Sequence, residues 1–149
     1  MNKNLAAGLI GIAVAVTGAA FFINKNQSES PALNAPALSS GTWVWEKTVM
    51  NDDTIITPNQ PGRFTLTFSE NGTVSGATDC NGFGGEFTTD ENNILIFGDF
   101  FHTEMFCEGS QEEAFREAVL NSDRYLFNDA GHLILNLKFD SGAIHFIHQ

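Results

Sequence analysis

The two cysteines of this 149-residue sequence lie in the segments whose residue types could carry out chemistry. Cys80 belongs to the stretch TDCNGFGGEF, residues 78–87, where it stands among an acid, an amide and three glycines. Cys107 closes a second compact stretch, TEMFC, residues 103–107. Such a pair could supply a reactive thiol, ligate a metal ion or form a disulfide, and each alternative requires different neighbours.

A cysteine nucleophile needs a thiolate stabilised by a histidine or by a helix N-terminus. Cys80 has only distant histidines, whereas Cys107 has His102 five residues before it and a predicted helix start at Ser110. Exported chains with a small, even number of cysteines usually pair them. Together with the export signal described below, this favours a Cys80–Cys107 disulfide. Free structural thiols and a thiol-dependent enzyme remain the alternatives.

A metal site would have to draw on Asp79, Cys80, His102 and Cys107, whose spacing matches no closed zinc pattern. The glycines of residues 81–85 are followed by neither a lysine nor a helix, so they do not form a phosphate-binding loop. They predict a tight bend or a β-bulge instead. We therefore predict no catalytic residue, no metal site and no cofactor.

The charge of the chain argues against two classes of partner. From Gly41 onward, five Lys and Arg stand against seventeen Asp and Glu, a net charge of −12. Binding to nucleic acid requires clustered positive charge, and anionic lipid headgroups repel an acidic surface. Neither nucleic acid nor direct adhesion to such headgroups is expected.

The N-terminus predicts export. Leu5 to Ile23 is uncharged and as a helix would span about 28 Å, close to the thickness of a bilayer core. It is either an uncleaved anchor or a signal peptide cleaved after Gly18-Ala19-Ala20. Lys3 before it favours a cytoplasmic N-terminus. The remainder is then expected in the periplasm, tethered to the inner membrane by this helix, or periplasmic or secreted after cleavage.

The chain divides into three parts by composition. Residues 1–23 form the anchor or signal peptide, residues 24–40 are polar and small and predict a flexible linker, and residues 41–149 carry the pattern of a folded domain. Phe64, Leu66 and Phe68 alternate with polar residues, and Asn71-Gly72 follows them, which predicts a β-hairpin.

The end of the domain predicts another hairpin. One strand face carries Leu133, Leu135, Leu137 and Phe139, and a turn follows at Ser141-Gly142. Before it, Ser110 and Glu113 fit a capping box that begins a helix ending near Asn121. A run of antiparallel strands with one late helix predicts an α+β domain. We expect a small curled antiparallel sheet or partial β-barrel with the helix over one opening.

Four motifs give the domain a resemblance to a known family. They are FTLTF (residues 64–68), NGTVSG (71–76), CNGFGG (80–85) and TEMFC (103–107), and in this order and spacing they resemble the META domain family, also called HslJ-like. The resemblance covers roughly residues 41–147. It implies structural roles for the motif residues Gly76, Asn81, Phe83, Gly85, Thr103 and Met105. Asp79 and Phe106 depart from the pattern, which commonly has glycine and a smaller residue there.

The resemblance also implies a function. Such domains are small envelope proteins, often lipoproteins, linked to heat shock and to tolerance of novobiocin, with no established enzymatic activity. We therefore expect a non-enzymatic, exported envelope-stress domain that binds an envelope protein or a small ligand. An inhibitor of a cell-wall hydrolase or protease is an alternative. The predicted contact surface consists of the loop Asp52–Gly62 and the segment Phe100–His102.

Overall fold

Nine strands and one α-helix make up most of residues 37–149, the part of the chain that this computed structural model describes. Two short 3₁₀ helices, Leu38–Ser40 and Lys138–Asp140, complete it. The strands are β1 (Thr42–Met50), β2 (Ile55–Ile56), β3 (Thr65–Phe68), β4 (Thr73–Ala77), β5 (Gly82–Thr89), β6 (Leu95–His102), β7 (Ser122–Phe127), β8 (Leu133–Leu137) and β9 (Gly142–His148). The helix α1 (Glu112–Leu120) lies between β6 and β7.

All strands belong to one antiparallel sheet in the order β6-β5-β4-β3-β1-β9-β8-β7, with β2 paired to β1. The sheet curls until its two edges approach each other. Ile94 forms an isolated bridge with Arg124, and the Tyr125 N–H donates to the Asn93 carbonyl at 3.0 Å. The predicted α+β class, a curled antiparallel sheet with one helix, is confirmed.

The concave side of the sheet holds the core. Alternate residues of the strands point inward, and the fully buried ones include Trp43, Phe64, Leu66, Leu135 and Phe146. The helix contributes Phe115 and Val119, both with no exposed surface. The Phe115 ring centroid lies 5.2 Å from that of Trp45 and 5.3 Å from that of Phe64, in tilted and edge-on arrangements. Helix α1 therefore closes one opening of the curled sheet with an aromatic side chain.

The predicted hairpin at Asn71-Gly72 joins β3 to β4. The Gly72 N–H donates to the Ser69 carbonyl at 3.1 Å, and Gly72 has a φ of +82°. Because the Ser69 N–H also donates to the Thr73 carbonyl at 2.8 Å, residues 70–72 form a three-residue loop, whose last position requires the left-handed conformation that glycine adopts without strain. The Asn71 Oδ1 accepts a hydrogen bond from the Thr73 N–H at 3.1 Å, which fixes the turn further.

The structure differs from what the sequence indicated at four places. Phe139 does not continue the inward face of β8: it has a φ of +60° and is 99 % exposed. A strand that the sequence did not indicate, β7, follows the helix directly. The predicted loop Asp52–Gly62 contains β2, and the segment Phe100–His102 is the end of β6 rather than a loop.

The packed part of the chain includes residues that composition assigned to the linker. Leu38 is buried, and its carbonyl accepts a hydrogen bond from the Trp43 indole Nε1 at 2.8 Å. Among residues 37–149, the core residues lie between Leu38 and Phe146, within a compact unit of residues 32–149. A fragment of residues 32–149 therefore contains this core, and we expect it to fold by itself.

The predicted anchor at residues 1–23 lies outside the described residues. Within residues 37–149, no helix has both the length and the apolar character needed to cross a bilayer.

Candidate functional site

Cys80 and Cys107 form a disulfide that joins the turn between β4 and β5 to the segment after β6. Their Cα atoms are 5.9 Å apart, and 27 positions separate them in the sequence. Closing a loop of this length stabilises a fold by about 3–4 kcal/mol in the chain-entropy description. Both cysteines are bonded, so neither is available in this state as a nucleophile or a metal ligand. We call residues 103–107 the disulfide segment.

The Asn81 side chain holds the disulfide segment from behind. Its Oδ1 accepts hydrogen bonds from the Thr103 hydroxyl at 2.7 Å and from the Met105 N–H at 2.9 Å. Its Nδ2 donates to the Met105 carbonyl at 2.9 Å and to the Glu112 carboxylate at 2.7 Å. The amide is buried and uses two donors and two acceptor positions, which fixes the backbone of the segment and its distance to α1.

Asp79 caps α1 from outside the helix. Its Oδ2 accepts a hydrogen bond from the Gln111 N–H at 3.0 Å, and its Oδ1 accepts one from the Ser110 hydroxyl at 2.6 Å. The Ser110 Oγ in turn accepts from the Glu112 N–H at 3.0 Å. The predicted capping box of Ser110 and Glu113 is therefore wrong: the Ser110 Oγ accepts from the amide of Glu112, and the Asp79 carboxylate, brought in by the fold, accepts from the residue before the helix.

Gln111 extends the same network to the predicted contact loop. Its Oε1 accepts a hydrogen bond from the Asn59 N–H, and its Nε2 donates to the Thr57 carbonyl at 3.1 Å. The Asn59 side chain also donates to the Gly109 carbonyl at 3.3 Å. The second half of the loop Asp52–Gly62 is thus tied to the start of α1.

The glycines next to Cys80 allow close packing within the sheet. They lie in β5 without positive φ, so the predicted bend is wrong; the predicted bulge is present, since the pairing of β5 with β6 shifts register between Gly85 and Phe87. A Cβ on Gly76 in β4 would lie 2.3 Å from the Phe83 ring and 2.5 Å from the Thr65 carbonyl oxygen. Gly76 is required because the Phe83 ring lies against the backbone of β4.

The outer side of the disulfide segment is apolar and exposed. Phe106 is 92 % exposed and Met105 62 %, and Phe101, at the end of β6, is 72 % exposed. Glu104 and Glu108 flank these side chains and are exposed as well. Exposed apolar side chains of this size within one short stretch are typical of a protein-binding surface.

A shallow groove runs between the disulfide segment and α1. It has a volume of about 470 Å³ and is lined by residues that include Met105, Phe106 and Arg116. The Arg116 Nε is buried and has no hydrogen-bond partner among residues 37–149. A buried donor without an acceptor is unfavourable, so an acceptor from a bound molecule would stabilise this site.

Three ionisable groups in the described part of the chain have shifted pKa values, and all lie away from the disulfide segment. Hydrogen bonds from Thr54 lower the pKa of Asp52, and the backbone N–H of Ile94 lowers that of Asp90; both carboxylates organise turns. Burial on β9, with Lys47 opposite it on β1, lowers the pKa of His145. His145 lies on the opposite face of β9 from His148, whose ring packs edge-on against Trp43.

Among residues 37–149 there is no group of three His, Cys, Asp or Glu side chains placed to hold a metal ion. What the site does present is a rigid, exposed segment. This arrangement can bind a surface, and it places no activated nucleophile or acid–base pair within it.

The sequence model of the META domain family matches residues 36–148, three quarters of the chain. The chain belongs to the META domain family. Of the motif residues that carried the resemblance, this META domain brings Asn81, Thr103, Met105 and both cysteines into one cluster. Gly76, Phe83 and Gly85 lie beside that cluster in the sheet.

Two solved structures share the fold of this META domain. The NMR structure of a protein from Burkholderia xenovorans is 24 % identical with a TM-score of 0.63, covering 75 % of this chain and 83 % of that one. The crystal structure of a DUF4847 family protein from Bacteroides vulgatus is 20 % identical with a TM-score of 0.57, covering 75 % and 94 %. No curated protein matches the chain. At these identities the likeness concerns the fold alone.

Sequence reasoning did not assign roles to three residues of the META domain's site. The sequence offered Asp79 only as a possible metal ligand and as a departure from the family pattern, although a carboxylate near the start of a helix is favourable once the two segments are known to meet. No local pattern indicates a role for Glu112 or Arg116. The hydrogen bond between the Asn81 amide and the Glu112 carboxylate depends on the long-range approach of two segments, which leaves no local signal.

Proposed function

We propose that this META domain is a non-enzymatic, exported module that binds a protein of the cell envelope through its disulfide segment. The observation that carries the proposal is the combination of a fixed backbone with exposed side chains. Asn81 and the disulfide immobilise the segment, while Met105 and Phe106 face solvent. A preorganised segment loses little conformational entropy on binding, and exposed aromatic side chains are common anchors in interfaces.

Charge selects the kind of partner. Glu104 and Glu108 flank the apolar side chains, and the domain carries a net charge of −12 from Gly41 onward. A partner with an apolar pocket bordered by Lys and Arg is complementary to this surface, and such complementarity speeds association at low salt. The Arg116 Nε in the adjoining groove, which has no partner among residues 37–149, would donate a hydrogen bond to a backbone carbonyl of that partner.

The disulfide supports an exported location. Disulfides persist in oxidising compartments such as the periplasm, and the N-terminal apolar segment provides a route there. Membership of the META family supports a role in envelope stress, including growth at raised temperature and in the presence of novobiocin. In a deletion strain, the wild-type gene is expected to restore both kinds of growth and Phe106→Ala to restore them poorly.

Site-specific photocrosslinking in intact cells tests the proposal. A photoreactive phenylalanine analogue replaces Phe106, and the matched control replaces Phe139, which is also almost fully exposed but lies outside the disulfide segment. We expect one envelope protein captured from position 106, and much less of it after Glu104→Lys and Glu108→Lys are introduced together. Equal capture from position 139, or capture that the charge reversals leave unchanged, contradicts the proposal.

An inhibitor of a basic cell-wall hydrolase is a second candidate. The disulfide segment favours this candidate as well. A loop held rigid by a disulfide and by side-chain hydrogen bonds can occupy an active-site cleft without changing its conformation. The fragment of residues 32–149 is expected to inhibit a basic muramidase at low ionic strength, with inhibition lost at high salt. Equal muramidase rates with and without the fragment at low ionic strength eliminate this candidate.

A further inference from the structure

A second cavity lies at the end of the curled sheet that α1 covers. It has a volume of about 430 Å³ and lies between the C-terminal half of α1, the β1–β2 hairpin and the turn before β9. Its walls are mainly apolar and include Trp45, Met50, Ile56, Ala118 and Leu137. This volume lies in the range of pockets that bind small molecules.

One buried hydroxyl group lines this cavity. Thr48 is 2 % exposed and lies in the cavity wall. Its Oγ1 accepts a hydrogen bond from the Trp45 indole Nε1 at 3.1 Å, and a threonine hydroxyl can donate one hydrogen bond in addition. A buried hydroxyl of this kind is stabilised by an acceptor oxygen, which a ligand in the cavity can supply.

Phe139 at the mouth supplies a second, independent observation. It lines the cavity, yet its side chain is 99 % exposed and its φ is +60°. A bulky residue in the left-handed region is strained, and a fully exposed aromatic ring is unfavourable in water. Both features are costs in the unliganded domain, and strain of this type concentrates at functional positions. A ligand that covers the Phe139 ring would remove its unfavourable exposure to water.

The charges at the mouth select an uncharged ligand. Glu117 and Lys138 both line the cavity, so neither sign of charge dominates there. The Lys138 ammonium donates to the Leu120 carbonyl at the end of α1 at 3.2 Å, which occupies one of its donors.

We propose that this cavity binds a small, uncharged, mainly apolar molecule that carries a hydrogen-bond acceptor oxygen, such as an aromatic ketone or amide. The acceptor oxygen takes the Thr48 hydroxyl proton, the apolar body packs against Trp45 and Leu137, and Phe139 covers the outer side. This site is separate from the disulfide segment, and the proposal holds whether or not that segment binds a protein.

The test uses Prodan, a neutral naphthyl ketone whose emission moves to shorter wavelength in apolar surroundings. Titrated into residues 32–149, it is expected to bind saturably at one site with blue-shifted emission and to quench tryptophan fluorescence. Phe139→Ala is expected to weaken binding roughly fivefold through lost apolar contact. Thr48→Val is expected to weaken it roughly three- to tenfold through the lost hydrogen bond.

Two further variants keep the result decisive. Ala114→Phe places a ring at the exposed edge of the cavity and is expected to reduce affinity at least tenfold without disturbing the core. Phe106→Ala removes another highly exposed ring, in the disulfide segment, and is expected to leave Prodan affinity unchanged. The proposal is overturned if wild-type binding does not saturate below millimolar Prodan, if Ala114→Phe binds as well as wild type, or if Phe106→Ala weakens binding as much as Phe139→Ala.

Discussion

The carboxylate of Asp79 accepts a hydrogen bond from the backbone N–H of Gln111 at 3.0 Å, although the two residues are 32 positions apart. The turn that carries Cys80 therefore also supplies the cap of α1. Folding of the helix end and placement of the disulfide segment are coupled through this contact.

Asp79→Ala is expected to lower the free energy of unfolding of residues 32–149 by about 1–2 kcal/mol, because the Gln111 N–H just before α1 and the Ser110 hydroxyl lose their acceptor and the start of the helix loses a negative charge. Urea unfolding with the disulfide intact measures the loss. Asp129→Ala, at an exposed turn position, serves as the control and is expected to change stability by less than about 0.5 kcal/mol. Equal effects of the two substitutions would show that Asp79 does not act as the cap.

Asn81→Asp is expected to destabilise the domain by about 3–5 kcal/mol. The substitution keeps the shape of the side chain but replaces two donors with a charged oxygen that faces the Met105 carbonyl and the Glu112 carboxylate. Calorimetric unfolding at neutral pH measures it, with Asn136→Asp on β8 as the matched control. Retention of wild-type stability in Asn81→Asp would contradict the hydrogen-bond assignment.

Gly76→Ala and Gly82→Ala form a matched pair in neighbouring strands. A Cβ at position 76 would overlap the Phe83 ring and the Thr65 carbonyl, whereas at position 82 the nearest atom lies 3.7 Å away. We expect a loss of about 1–3 kcal/mol for Gly76→Ala and little change for Gly82→Ala. Chemical denaturation of both variants decides this, and a reversed order would be incompatible with the close packing of β4 on Phe83.

His145 is expected to make stability depend on pH. Burial lowers its pKa in the folded domain below the ordinary value of 6.5, so the unfolded chain takes up the proton first as the pH falls. The free energy of unfolding should therefore decrease from about pH 6.5 downward until the folded pKa is passed. His145→Gln should remove this component from urea unfolding measured between pH 7.5 and 5.5, a range in which most carboxylates stay ionised. An unchanged pH slope in the variant would rule out His145 as its source.

The sequence predicted the parts of the fold that local patterns determine. Alternation in residues 64–68 and the Asn71-Gly72 turn predicted the β3–β4 hairpin, and the apolar spacing after Ser110 predicted α1. The sequence patterns missed β7 and the exposure of Phe139. Where a strand begins and ends depends on the neighbouring strand with which it pairs, and that strand is not adjacent in a local pattern. Composition assigned Leu38 to the linker. No local pattern shows that the Trp43 indole, five residues further on, donates a hydrogen bond to the Leu38 carbonyl.

The candidate site was less predictable. Its motif residues were identified through the family resemblance, and the pairing of Cys80 with Cys107 was favoured by export and cysteine number. The cap by Asp79, the bonds of Asn81 to Glu112, and the cavity beside Thr48 all arise from contacts between segments at least 20 residues apart. Such contacts leave no periodic signal in one sequence.

The adjacent β1 and β9 bring the two ends of the described chain together. The Gln149 N–H donates to the Thr42 carbonyl at 2.9 Å, and the Ser40 side chain contacts the His148 ring. The domain is consequently suited to circular permutation, with a short Gly-Ser link from Gln149 to Ala37 and new ends in the exposed turn 90–93. A permuted chain of this kind would present the disulfide segment unchanged and would carry a fusion partner at the turn 90–93.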